Sequence, residues 1–78
     1  MREKTKKVVI TFHTTAEAIA MEKSCKENEI SGRLIPVPRQ ISSGCGLAFC
    51  APIGDRELIL EFMNLKGLSS EAVSECLL

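Results

Sequence analysis

Two prolines stand two residues apart, Pro36 inside the apolar run 33–37 (Arg-Leu-Ile-Pro-Val) and Pro38 just beyond it. The run has the length and residue types of a strand. Each proline deletes a ladder donor, so a strand there belongs at the edge of a sheet. Residues 7–12 (Lys-Val-Val-Ile-Thr-Phe) are β-branched and too short for a helix, which predicts a strand in the centre. Thr14 followed by Glu17 is the capping-box pattern. Residues 16–29 are helix-compatible throughout, with Ala18, Met21 and Cys25 on one face, and Ser31-Gly32 ends the helix. Residues 47–51 read as a third strand. Asp55 is placed as the N-cap of a second helix over 56–66, with Leu58, Phe62 and Leu65 on its buried face and Gly67 as its stop. Residues 72–77 read as a fourth strand, with a short helix capped by Ser70 as the alternative.

The resulting order, βαββαβ, has a known solution in the α+β class: the split-βαβ, ferredoxin-like sandwich, a four-stranded antiparallel sheet with both helices on one face. The second strand is then an edge, as the prolines require. Crossover handedness makes the first and second strands parallel, with the third antiparallel between them. Seventy-eight residues leave no room for a second core, so the chain is read as one domain over 1–78, with 1–6 as a flexible N-terminal lead. A core this small also favours association with a partner or a second copy.

Ten basic and ten acidic side chains cancel, and only 4% of residues are aromatic. A nucleic-acid role thus lacks both its electrostatic drive and its stacking platforms. The uncharged stretch over residues 41–54 is too short for a membrane helix and interrupted by glycines and a proline; no secretory signal is visible. We therefore expect a cytoplasmic protein without membrane or nucleic-acid partners. There its four cysteines (Cys25, Cys45, Cys50, Cys76) are reduced thiols.

The chemistry concentrates in residues 38–46 (Pro-Arg-Gln-Ile-Ser-Ser-Gly-Cys-Gly). Cys45 lies between Gly44 and Gly46 and has no adjacent side chains to shield it. Glycines permit the left-handed conformations in which successive amides converge on an anion, and a thiolate or persulfide is an anion. In the expected fold this loop shares an end of the sheet with the exit of the first strand. Cys45 would then lie near His13 and the amino end of the first helix at Thr14, whose partial positive charge favours a thiolate. The plainer reading makes the glycines a hairpin turn and Cys45 a small buried apolar residue. His13 reads equally as a solvent-exposed strand end, and Arg39 either as an anchor for an anionic partner or as soluble surface. Cys25 is assigned to the core and Cys76 to an inert position. Cys50 has the opposite strand parity to Cys45 and should face the uncovered side of the sheet. Five extended residues set the two Cα atoms roughly 16 Å apart, beyond disulfide reach. The spacing gives no zinc site, and phosphate-loop and dinucleotide fingerprints are absent, so neither metal nor cofactor is expected.

The run 34–39 (Leu-Ile-Pro-Val-Pro-Arg), followed by 41–48 (Ile-Ser-Ser-Gly-Cys-Gly-Leu-Ala), resembles a family of small bacterial selenium/sulfur carrier-like domains. Phe12, Thr14 and Ala18 resemble that family's strand-to-helix entry, and the likeness extends over roughly residues 8–62. The resemblance implies that Cys45 holds sulfur or selenium, as a persulfide or its selenium analogue, between donor and acceptor proteins. Ser43, Gly44, Gly46, His13, Thr14 and Arg39 would support it. Carriers of the TusA type place Cys-Pro-x-Pro at the start of the first helix, whereas here the cysteine follows the prolines. We read the chain as a carrier rather than a turnover enzyme. Two rivals stand: a non-catalytic interaction or ligand-sensing module, and a thiol redox protein using Cys45 with Cys50 as a second thiol.

Overall fold

In the computed structural model, which describes residues 5–41 and 44–77, the first strand β1 spans Lys6–Thr11. Lys6 already pairs with Leu77, and its Nζ lies 3.1 Å from Glu75 Oε1. The strand therefore takes in the last residue of the expected flexible lead; residues 1–4 of that lead lie outside the described residues.

Helix α1 spans Thr15–Glu27. Thr14 is extended (φ −137°, ψ 157°), and its hydroxyl accepts from the Glu17 amide at 3.2 Å. The returning arm differs from the capping-box expectation. Glu17 Oε1 accepts from the His13 amide at 2.8 Å, one residue earlier than the cap itself. At the other end Glu29 takes a left-handed φ of 56°, and the Ile30 amide reaches back to the Cys25 carbonyl at 2.8 Å. That reversal stops the helix two residues short of the expected 29.

Strand β2 is Arg33–Pro36 and β3 is Leu47–Pro52. A 3-10 turn, Ile53–Asp55, leads into α2, Arg56–Lys66. Asp55 makes no side-chain cap bond, contrary to expectation, because at φ −97°, ψ 5° it has already left the extended conformation that a capping residue uses. Gly67, at φ 67°, ends α2, with the Leu68 amide on the Met63 carbonyl at 2.9 Å. Strand β4 is Ala72–Leu77, as the strand reading required.

The sheet order is β2-β3-β1-β4, with every neighbouring pair antiparallel. The proline-bearing β2 is an edge. One parity of each central strand (Val8, Ile10 and Phe12 at β1, Phe49 and Ala51 on β3) joins Ala18, Met21 and Cys25 of α1 and Ile59 and Met63 of α2 in a single core. Both helices therefore cover the same face. The α2 phase is rotated by about one residue from expectation. Leu58 and Leu65 are 57% and 77% exposed, Phe62 is half-buried, and Ile59 and Met63 carry the contact. The other sheet face is also less open than expected, since Val9, Thr11 and Ala48 are fully buried there. Gly32 is required by packing. A β-carbon on it would meet the Phe49 ring at 2.3 Å, and its φ is +139°.

Candidate functional site

The register fixes where the loop cysteine sits. Thr11 is opposite Ala48. Thr14 and Cys45, each three residues further out along its own chain, therefore share one end of the sheet. The Val37 amide donates to the Gly46 carbonyl at 3.1 Å, which extends the β2–β3 pairing one step beyond Pro36 toward Cys45. The Ile41 amide donates to the Pro38 carbonyl at 3.0 Å and closes a turn over residues 38–41, which presents Arg39 in an exposed position. Ser43 lies outside the described residues.

Cys45 is half-buried and packs against the helix-side core, so it is more enclosed than a cysteine flanked by two glycines would suggest. The Leu47 amide donates to Cys45 Sγ at 3.4 Å, and the thiol donates in turn to the Leu47 carbonyl at 3.3 Å. This is the sulfur counterpart of a turn in which an Asn or Asp side chain bonds the backbone two residues on. It forms because Gly46, at φ +75°, swings the chain back toward the sulfur. The Leu47 amide is thus a donor to the sulfur, beyond the amides around Gly44 and Gly46 to which the sequence pointed. The Cys-Gly-Leu step was the available signal, since glycine at the middle position admits the left-handed turn. A β-carbon on Gly44 would meet nothing within 4 Å.

His13 is engaged by its own helix. Its Nδ1 is 3.4 Å from Glu17 Oε1, and its amide donates to the same oxygen at 2.8 Å. Thr14 spends its hydroxyl on the cap. Arg39 makes no ion pair among the described residues.

The four cysteines are free thiols. Cys25 is in the core, where burial pushes its thiol up from the ordinary 9.0. Cys50 is 8% exposed and turned away from the helix-side core that Cys45 touches. Burial raises its thiol as well, with Lys7 and Arg33 pulling down and Cys76 adding to the rise. Among the described residues no group of three His, Cys, Asp or Glu side chains is placed to hold a metal ion, and no helix is long and apolar enough to cross a membrane.

A four-stranded antiparallel sheet with two helices on one face defines a small α+β protein of the ferredoxin-like type, with a half-buried thiol in a backbone-bonded turn at one end of the sheet. The chain belongs to the family described as "Putative Se/S carrier protein-like", whose model matches residues 7–75. That span takes in both strands flanking the Cys45 loop. No curated protein and no solved structure matches the chain.

Proposed function

We propose that the protein carries sulfur or selenium on Cys45 between a donor and an acceptor protein. The observation that carries this reading is the Leu47 amide on Cys45 Sγ at 3.4 Å, in a turn that Gly46 makes possible, within a chain of the carrier family. In the loading step the Cys45 thiolate attacks the outer sulfur of a donor persulfide. The new Sγ–S bond forms as the donor's S–S bond breaks, and the donor leaves as its thiolate. A perselenide donor follows the same balance.

The geometry suits the loaded form. The Leu47 carbonyl oxygen lies 3.3 Å from Sγ. A persulfide moves the negative charge to the outer sulfur, away from that oxygen, while the Leu47 amide still holds Sγ. Gly44 adds no side chain on the approach, and exposed Arg39 offers a cation to an anionic partner surface. Exchange between Cys45 and Cys50 is disfavoured, because Cys45 packs against the helix-side core and Cys50 is turned to the other face of the sheet.

The test is to incubate the protein with a cysteine desulfurase and cysteine, or with polysulfide, and map the added sulfur by mass spectrometry. The proposal expects one sulfur on the Cys45 peptide and none there in Cys45→Ser. A Cys45→Ser variant that takes up as much sulfur as the parent protein sinks it.

A further inference from the structure

At the end of the sheet opposite Cys45, where β2 begins and β3 ends, the face turned away from the helices holds a groove of about 360 Å3. Lys7, Arg33 and Cys50 line it together with Ser31, Gly32 and Pro52. Strand register explains the grouping. Arg33 is the cross-strand partner of Cys50 on β2, and Lys7 on β1 is opposite Pro52, two residues beyond Cys50 on the same face. A cation thus flanks the thiol from each neighbouring strand.

Among the described residues, neither cation has an ion-pair partner. The ion pairs among the described residues are Lys6 and Arg56 with Glu75, and His13 with Glu17. No carboxylate lines the groove. Two unpaired cations over a concave, largely low-dielectric floor focus a positive potential into it. The chain as a whole has no net charge, so this potential is local.

We propose that the groove is a binding site for a small dianionic oxyanion, held between Lys7 and Arg33 with Cys50 at its floor. Two cations match a dianion in charge, and the groove exceeds the size of a tetrahedral oxyanion, leaving it room beside the thiol. The site is separate from Cys45 and does not depend on the carrier reading.

The test uses Cys45→Ser, which leaves the groove intact and removes the loop thiol. Cys50 is alkylated with anionic iodoacetate and with neutral iodoacetamide, and the two rates are read by peptide mapping. The iodoacetate-to-iodoacetamide ratio at Cys50 should be roughly five- to ten-fold higher in the folded protein than in the urea-unfolded chain. It should fall in Arg33→Gln and in Lys7→Gln, and return in Arg33→Lys. Sodium sulfate should slow the iodoacetate reaction more than sodium chloride at equal ionic strength. Arg33 is exposed on an edge strand, so its variant keeps the test readable if Lys7→Gln fails to fold. Equal ratios in folded and unfolded protein, ratios indifferent to both charge removals, or a sulfate effect no greater than that of chloride would each overturn the site.

Discussion

At the residue scale, two glycines flank Cys45. Gly46 is in the left-handed region at φ +75°, and an added β-carbon would meet nothing within 4 Å at either position. Gly46→Ala should therefore cost about 1–2 kcal/mol of backbone strain and slow sulfur loading of Cys45 by displacing the Leu47 amide. Gly44→Ala should leave both stability and loading nearly unchanged; thermal unfolding and the loading assay read the pair. The sequence marked the Gly-Cys-Gly segment and its end of the sheet. It did not say which amide meets the sulfur, because that depends on one φ angle. Nor did it foresee that Glu17 would occupy His13, since a side chain's choice among neighbouring amides is a matter of a few tenths of an ångström.

At the scale of elements, strands were legible and helix phase was not. Prolines placed β2 at the edge and a β-branched run marked β1, while β4, with Val73 as its single β-branched residue, read as a strand against a short helix capped by Ser70. In α2, Leu58, Ile59, Leu60, Phe62, Met63 and Leu65 are apolar nearly all the way round. Stripes one residue apart therefore fit the pattern almost equally, and only packing against β1 and β3 chooses between them. Ile59→Ala should cost about 2–5 kcal/mol, while Leu58→Ser should stay within about 0.5 kcal/mol. Urea unfolding of the two variants distinguishes the observed phase from the expected one. The end of α1 gives a prediction of opposite sign. Glu29 holds a left-handed conformation that glycine adopts without strain, so Glu29→Gly should raise stability by about 0.5–1 kcal/mol. Gly32→Ala should do the reverse, by about 1–3 kcal/mol or more, because the Phe49 ring occupies the space of its β-carbon.

At the scale of the whole molecule, the buried thiols tie stability to pH. Cys25 and Cys50 are both raised above 9.0, chiefly by burial, so the folded protein retains thiol protons at a pH where the unfolded chain releases them. Their contribution is fully present below about 9.0 and is lost as pH rises through the higher folded values. The urea midpoint should fall as pH rises above about 9, and fall less in a Cys25→Ala/Cys50→Ala variant. The two-layer architecture further separates its thiols by face: Cys45 meets the helix-side core and Cys50 the groove behind it. The proposed sulfur chemistry and the proposed anion site therefore lie at opposite ends of the sheet. The most direct measurement is site-resolved mass spectrometry of the chain after exposure to a persulfide donor, without alkylation beforehand. One added sulfur confined to the Cys45 peptide and transferable to an acceptor thiol is the expected result; sulfur distributed over the cysteines as in the unfolded chain, or absent from Cys45, contradicts the account.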